Sequence, residues 1–593
     1  MIRLFRASGT AALASALAVT GLTAAVAAPA HAEPSPVDMT LCEGTPVWTG
    51  DIADDQVVSI KSTVRGTAPA TFSGSYVGQI KDSFGNKILL FDVAGAPVTK
   101  PDGSVNAGIW SGMSGSPVSD ADGNLVGAVA YSFTGSAAST IAGVTPAADM
   151  LRLGSDDALA PSVRVPSAIA REAEVPVGTR LERMSGRRVM AGAQTGRYDF
   201  TRKASRLSTS GPLGRATLAN LSVESFVPGG NIAASWTSGD MVLASVGTVT
   251  AVCGDRVFAF GHPDESSGAG SAQTIHHAST VAVLPDDAYS YKMVEIDPTP
   301  AGALLFDGNS GIVGQVGLPA KTSIPVTSSV TRGSAPVRTL TTKVSEPLAL
   351  SYTVASQVYS GLATSIGNEA GAADVTTRLT IRLRGEDGKQ QSLYRRVRTA
   401  ATSDALAEAA SDVAGAVEML AYGVDEEIRI DSVTVATTVH ATTPNGYKLS
   451  AIEYRTGKTL PAKWTKATSK IKVKKGHKLQ VRYVAKKWGS PTTVVRTAAQ
   501  TLSTTSKYSS TGTVEGLGAS SSYWDEDEEF YFDEDELSLK DALALLKATP
   551  SNEAVRSTIT YRSPSLRRTA GSLLTSPTAY VSGQISAPLS FVK

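Results

Sequence analysis

The chain has 593 residues and a formal net charge of +1 at pH 7, and 42% of its residues are hydrophobic and 18% charged. This composition excludes a disordered chain and suits a globular protein of about three or four domains. The near-zero net charge gives no support for a nucleic-acid-binding protein. The 54 glycines and 29 prolines indicate many turns, and frequent Val and Thr favour strands, so we expect a mainly β protein.

Residues 1–32 have the pattern of a secretory signal peptide. Arg3 and Arg6 form a positive start, an apolar stretch follows, and Ala30-His31-Ala32 is a small-x-small cleavage site. A retained membrane anchor is the alternative interpretation. No other apolar run reaches the roughly 20 residues that a helical span needs. We therefore expect a secreted, extracellular protein with no integral membrane span after cleavage.

Residues 33–345 are predicted to form one β-rich domain in two halves, 33–160 and 216–345. In the first half, residues 75–80 alternate in polarity, 82–86 have a turn composition and 87–91 form a second strand, which together predict a β-hairpin. A polar, Arg-rich stretch connects the halves, and strands then resume.

Residues 346–440 are predicted to be a β-rich module with one helix. Apolar residues recur at helical spacing from Asp404 to Tyr422, and Ser403 is the candidate N-cap.

Residues 441–593 are predicted to be a β-rich C-terminal region. Lys470–Val473 and Leu479–Tyr483 flank a Lys-Gly-His turn and predict a basic hairpin, whose surface is either a solvated strand face or a polyanion-binding surface. Nine acids within 525–536 predict a solvated acidic loop; a calcium site is the alternative, but the alternate-ligand and Gly pattern is lacking. A short helix is expected from Ser538 to Lys547.

The strongest chemical motif is Gly-Met-Ser-Gly-Ser-Pro at 112–117. Acyl transfer by serine needs a hydroxyl on a tight turn and backbone N–H groups aimed at the developing oxyanion. Gly112 permits unusual backbone angles, and the N–H groups of Gly112 and Ser114 form the predicted oxyanion hole. Ser116 is a second hydroxyl, but it lies beyond the turn and beside Pro117, so Ser114 is the candidate nucleophile.

His262 is the candidate general base, since a nucleophilic serine needs one. It follows the apolar run 256–260 and lies between Gly261 and Pro263, which predicts a rigidly placed ring at a strand end. The alternative is a structural histidine. The other histidines that remain after signal cleavage have weaker contexts: His276, His277, His440 and His477.

The chain has two cysteines, Cys42 and Cys253. Export to an oxidising compartment and the even count predict one disulfide between them. Two separate buried thiols are the alternative.

These motifs resemble the SpoIVB-type serine peptidase family. The resemblance rests on 112–117 followed by Gly-Ala-Val at 127–129, together with Phe-Gly-His at 260–262, and it covers about residues 40–345. It implies a chymotrypsin-like double β-barrel and a serine endopeptidase, with Ser114 as nucleophile, His262 as base, no cofactor and no metal. The serine block precedes the histidine block here, which is the reverse of the family's order.

The acid of the triad is open between two residues. Asp92 ends a strand upstream of the serine motif and matches the family's acid by resemblance, whereas Asp307 follows His262 at a spacing usual for trypsin-like barrels. The expected partner is a protein or peptide substrate and no nucleic acid, and the C-terminal half is expected to bind a cell-envelope partner. The alternative function is a non-catalytic secreted or envelope-associated binding protein on a peptidase fold.

Overall fold

The computed structural model describes residues 47–48, 52–54, 56–133, 139–150, 160–172, 175–184, 188–193, 214–269, 271–286, 290–367, 371–401, 404–503, 511–518, 537–548, 551–562, 567–575 and 579–592. The predicted signal peptide, Cys42, Ser403 and the acidic run 525–536 lie outside these residues. The described chain is mainly β, as its composition predicts.

Residues 57–146 form a first barrel. The elements of this part of the chain are β1 Val57–Ser62, β2 Ala70–Lys81, β3 Lys87–Ala94, β4 Pro117–Ser119, β5 Leu125–Phe133, β6 Ile141–Pro146, α1 Ala147–Met150, β7 Ser162–Arg164, α2 Ser167–Glu172 and β8 Arg180–Arg183. The antiparallel ring runs β1-β2-β3-β6-β5-β4 and closes where β4 pairs with β1. The predicted hairpin is confirmed, because β2 and β3 pair around the turn at 82–86.

A second barrel follows. Its elements are β9 Arg188–Ala191, β10 Gly214–Leu218, β11 Asn231–Ser235, β12 Thr237–Gly239, β13 Val242–Cys253, β14 Arg256–Ala259, β15 Thr274–Leu284, β16 Tyr291–Ile296, β17 Gly302–Gly308 and β18 Gly311–Val316. The antiparallel ring runs β11-β13-β14-β18-β17-β15 and closes where β15 pairs with β11. Nearly every residue of β13 is buried, since both of its faces are covered.

The two barrels have the same strand order. If the six ring strands of each are numbered along the chain, both rings read 1-2-3-6-5-4. In each barrel, the connection between the third and fourth strands is long: it spans 95–116 in the first barrel and 260–273 in the second. These two connections carry Ser114 and His262, respectively.

A third sheet crosses the predicted boundary at residue 345. Its elements are β19 Ile324–Arg332, β20 Ala335–Val344, a 3₁₀ helix Pro347–Ala349, α3 Leu350–Ile366, β21 Ala373–Arg384, β22 Gln390–Ala401, α4 Ala405–Tyr422 and β23 Arg429–Ala441. The strand order is β12-β20-β19-β23-β21-β22. The hairpin β19–β20 therefore belongs to the sheet of the following module, because β19 runs parallel to β23 and pairs with it.

The prediction of one helix in this module is wrong, since it holds two. The predicted helix is α4, with Asp404 at its N-cap. The missed helix, α3, is buried over most of its circumference, between the sheet and α4. Because burial is not confined to one face, its sequence shows no polar stripe, and its Thr, Val and Ser residues resemble those of a strand.

The C-terminal region is a two-sheet sandwich. Its elements are β24 Gly446–Gly457, β25 Thr465–Lys466, β26 Ile471–Lys474, β27 Lys478–Lys487, β28 Ser490–Arg496, β29 Gln500–Ser503, β30 Thr511–Leu517, α5 Leu539–Ala548, β31 Ala554–Arg562, β32 Arg567–Thr575, β33 Tyr580–Ser582 and β34 Gln584–Val592. One sheet contains β25-β24-β27-β28 and the other β26-β34-β30-β31-β32. Apolar side chains from both sheets form one core between them. Helix α5 confirms the short helix that was predicted there.

The prediction of a basic hairpin is also wrong. Strand β26 pairs with β34 in one sheet, whereas β27 pairs with β24 in the other. The turn between them therefore connects the two layers of the sandwich. No helix within the described residues is both long enough and apolar enough to cross a membrane.

Candidate active site

Ser114 lies in a tight turn just before β4. Its side chain is buried, with 1% of its surface exposed, and its Oγ makes no hydrogen bond to any described residue. The hydroxyl of Ser116 instead donates to the carbonyl of Met113 over 2.6 Å, and the N–H of Ser116 donates to the same oxygen. Ser116 therefore holds the turn closed, and Ser114 carries the uncommitted hydroxyl.

The backbone amides of this turn fall into two groups. Those of Ser111, Met113 and Gly115 donate to carbonyls at 2.7–3.0 Å. Those of Gly112 and Ser114 have no acceptor among the described residues, although both residues are buried. Buried N–H groups are almost always paired. The two unpaired amides are the pair that the sequence predicts for an oxyanion hole.

Gly115 presses the serine turn against the second barrel. Its φ is 88°, and a Cβ there would lie 2.0 Å from the carbonyl oxygen of Thr248 and 2.4 Å from the nitrogen of Phe260. The carbonyl of Gly115 accepts from the hydroxyl of Thr250 over 2.7 Å. The turn that carries Ser114 therefore contacts Phe260, which lies two positions before His262.

Thr248 and Lys292 support this turn from the second barrel. Thr248 donates its N–H to the carbonyl of Ser114 over 2.8 Å and its hydroxyl to the carbonyl of Gly112 over 2.9 Å. The Lys292 amine donates to the hydroxyl oxygen of Thr248 over 3.1 Å and to Oδ1 of Asn231 over 3.0 Å. The Lys292 side chain also packs on Gly112, where a Cβ would lie 3.2 Å from its Cδ.

Burial lowers the pKa of Lys292 to about 7. Its two hydrogen-bond acceptors are neutral oxygens, and a neutral amine has two hydrogens to give them. At neutral pH the amine is therefore poised between the charged and uncharged forms.

His262 is completely buried after two consecutive residues with positive φ, Phe260 and Gly261. The carbonyl of Gly261 accepts from the hydroxyl of Thr145, on β6 of the first barrel, over 2.9 Å. The histidine loop is thus attached to the barrel that carries Ser114. Phe260 holds a left-handed conformation that is costly for a non-glycine residue, and such conformations persist where packing enforces them.

The tautomer of His262 follows from its one hydrogen bond. Nδ1 lies 2.8 Å from the carbonyl oxygen of Pro263, and because a carbonyl can only accept, Nδ1 carries the proton. Nε2 is then an acceptor, and it is buried without a partner. Burial is the main cause that lowers the pKa of His262 to about 4, with a smaller contribution from Arg183. The ring is therefore neutral at physiological pH, with a free lone pair on Nε2.

Neither predicted acid hydrogen bonds to His262. Asp92 lies on β3 between Phe91 and Val93, which are both buried, so its exposed side chain is on the outer face of the barrel. The carbonyl of Pro263 occupies the Nδ1 position that a triad acid would take. No hydrogen bond joins Ser114 to His262 either, so the structure places their two turns in contact without linking the side chains.

Asp307 acts on the loop that follows His262. Its buried carboxylate accepts from the backbone N–H groups of Asp264, Glu265 and Ser267 at 2.7–3.2 Å. Burial raises the pKa of Asp307, and burial together with the Asp307 charge raises the pKa of Asp264 to about 6. Asp307 therefore fixes the backbone beside the imidazole rather than the imidazole itself.

Cys253, at the end of β13, is disulfide-bonded. The chain's other cysteine, Cys42, lies outside the described residues. No group of three or more His, Cys, Asp or Glu side chains in the described part of the chain is arranged to hold a metal ion.

Comparison of the chain with models of known protein families, with curated proteins and with solved structures finds no match. The interpretation of the site therefore rests on its geometry.

Sequence reasoning missed three parts of this arrangement: the Pro263 carbonyl, Thr248 and Lys292 as a support. The signal for Lys292 is a single lysine within the alternating strand Tyr-Lys-Met-Val-Glu-Ile, at a position where the alternation points into the protein. The Thr248 contact has no local signal, because it joins residues 136 positions apart.

Lys292→Met is expected to remove a pH dependence of stability. The unfolded chain holds the Lys292 proton up to pH about 10.4, whereas the folded chain loses it near pH 7. Between these values the unfolded state binds more protons, so wild-type stability rises with pH by up to about 1.4 kcal/mol per unit. Thermal melts at pH 7, 8 and 9 measure this, with exposed Lys343→Met as the control. The same rise in Lys292→Met as in wild type would contradict the assignment.

Proposed function

We propose that this chain is a secreted serine endopeptidase on a chymotrypsin-like double β-barrel. One observation carries the proposal: three kinds of group lie where the two barrels contact each other. They are the uncommitted hydroxyl of Ser114, the two unpaired amides of Gly112 and Ser114, and the neutral His262 ring with a free Nε2. The shared 1-2-3-6-5-4 strand order, with Ser114 and His262 on corresponding connections, supports the fold.

In the proposed mechanism, Ser114 Oγ attacks a peptide carbonyl while His262 Nε2 takes its proton. The amides of Gly112 and Ser114 hold the oxyanion. The carbonyl of Pro263 keeps the Nδ1 proton in place and orients the ring, a role that an aspartate has in a triad. His262 then returns the proton to the leaving amine, and water releases the acyl group by the reverse sequence. This chemistry requires no cofactor.

The burial of both side chains supports a second candidate, a non-catalytic binding protein on a peptidase fold. Ser114 and His262 are 1% and 0% exposed and are not joined by a hydrogen bond. For the peptidase, this burial requires the entrance to open when a protein or peptide substrate arrives. Export through residues 1–32 and a cell-envelope partner for the C-terminal half are part of the same proposal.

A fluorophosphonate probe distinguishes these functions, because it labels only an activated serine. Intact-mass analysis is expected to show one adduct on the wild-type protein, none on Ser114→Ala or His262→Ala, and one on Ser116→Ala. A folded wild-type protein that takes up no probe would favour the binding protein. An adduct that is lost in Ser116→Ala and kept in Ser114→Ala would move the nucleophile to Ser116.

A further inference from the structure

The C-terminal sandwich contains a strongly basic segment. Between Lys448 and Arg496 there are 14 Lys and Arg residues and one acid, Glu453, which leaves 41 basic against 53 acidic residues in the rest of the chain. A net charge near zero therefore conceals a strongly basic segment on an acidic protein. Such asymmetry is typical of proteins that bind an anionic partner.

The strand register brings this charge onto one face of the sheet β25-β24-β27-β28. Along β27, Leu479, Val481 and Tyr483 are buried in the sandwich core, so the alternate residues lie on the outer face. Residues directly opposite across a strand pair share a face. The pairs of β24 with β25 and with β27 thus define a basic face, consisting of Lys448, Arg455, Lys466, Lys478, Arg482 and Lys486.

The basic face contains a repulsive contact that no carboxylate among the described residues relieves. Lys448 lies directly opposite Lys486 across β24 and β27, and both are exposed. Like charges in this position destabilise a sheet. The face's single acid, Glu453, is already paired with Arg482 at 2.6 Å and Arg496 at 3.1 Å. The lysines therefore have no carboxylate of their own face to neutralise them.

Two arginines at the centre of the basic face are held rigid. The guanidinium carbons of Arg455 and Arg482 lie 4.6 and 4.1 Å from the centre of the Trp464 ring. Arg455 also donates to Gln480 over 2.8 Å. Planar guanidinium groups in fixed positions recognise phosphate geometrically, and the surrounding lysines add charge.

We propose that the basic face binds a linear polymer with closely spaced phosphate groups. The partner must bring many negative charges, because the face offers six positive charges against the single carboxylate of Glu453. A lipid surface is disfavoured, since no large hydrophobic side chain is exposed within the described residues 404–503 to enter a membrane. A single-stranded nucleic acid is disfavoured too, because the Trp464 ring on which a base would stack is occupied by two guanidinium groups.

The test uses the full-length protein with Ser114→Ala, so that it cannot cut itself. It measures the binding of this protein to labelled long-chain inorganic polyphosphate. The face variant combines Lys448→Gln, Lys466→Gln, Lys478→Gln and Lys486→Gln. The control variant makes the same change in charge on the barrels and the third sheet, with Lys81→Gln, Lys87→Gln, Lys100→Gln and Lys343→Gln. All eight lysines are exposed, so circular dichroism and thermal melts should match among the proteins.

The face variant is expected to bind polyphosphate at least tenfold more weakly, and the control within about twofold of the parent. Because each neutralised phosphate releases counterions, the slope of log affinity against log salt should fall by roughly 3 in the face variant only. Equal weakening of both variants, or no binding by the parent at low salt, would overturn the proposal. Tighter binding to phosphatidylglycerol vesicles or to single-stranded DNA than to polyphosphate would overturn it in favour of those partners.

Discussion

His262→Gln is expected to lower the rate of peptide hydrolysis by at least about 10³-fold, because it removes the acceptor for the Ser114 proton and keeps the side chain neutral and of similar size. Hydrolysis of fluorescein-labelled casein measures the loss. In the wild type, the neutral ring persists down to the lowered pKa of His262, about 4. The acid limb of the pH–rate profile should therefore lie well below pH 6.5, the value of an unperturbed histidine.

Asp92→Asn is the control for this prediction and should leave the rate within about twofold. The Asp92 side chain is exposed on the outer face of the first barrel, and the Pro263 carbonyl holds the His262 Nδ1 proton. Asp307→Asn should have an intermediate effect, because its carboxylate orders the loop after His262 through three backbone amides. A loss above about 100-fold in Asp92→Asn would show that a different arrangement, with Asp92 as the acid, forms during catalysis.

Gly115→Ala is expected to destabilise the paired barrels by more than about 4 kcal/mol, a size reached by few single substitutions. The added Cβ would overlap the carbonyl oxygen of Thr248 at 2.0 Å and the nitrogen of Phe260 at 2.4 Å. Both are backbone atoms within strands or a tight turn and have no rotamer to change. The serine turn would therefore have to leave the second barrel, and the hydrogen bonds of Thr248 and Thr250 to the turn would break.

Gly123→Ala separates this overlap from ordinary backbone strain. Gly123 has a φ of 86°, close to the 88° of Gly115, but no atom lies within 4 Å of where its Cβ would be. It should cost only about 1 kcal/mol, the strain of a positive φ in a non-glycine residue. Thermal melts and the yield of soluble protein compare the two variants. Similar melting temperatures would mean that the serine turn is not fixed by its contact with the second barrel.

The sequence predicts the parts of the site that need a local motif. A nucleophile turn requires glycines beside the serine, so Ser114 and the two amides are visible within six residues. His262 is recognisable because few histidines are present and one of them ends a strand. The β-hairpin at 75–91 and helix α4 are predictable for the same reason, since their polarity repeats at short range.

The remaining features depend on how distant segments dock. The Pro263 carbonyl is adjacent in sequence to His262, but the backbone just after it is held by Asp307, about 40 residues further along the chain. Lys292 becomes a neighbour of Gly112 only when the barrels meet. The basic hairpin failed as a prediction because two adjacent strands can enter different sheets of a sandwich, and polarity alone does not choose between these outcomes.

The hairpin β19–β20 limits how this protein can be divided. A chain ending at Ser345, where the predicted peptidase domain stops, would keep β19 but lose β23, its partner from Val326 to Arg332. It would expose a seven-residue open edge and the apolar side chains of Val326 and Val330 that α3 and the sheet now cover. Such an edge recruits strands from other copies, so that fragment should aggregate. A chain ending within 317–323 would retain both six-stranded rings and avoid this edge.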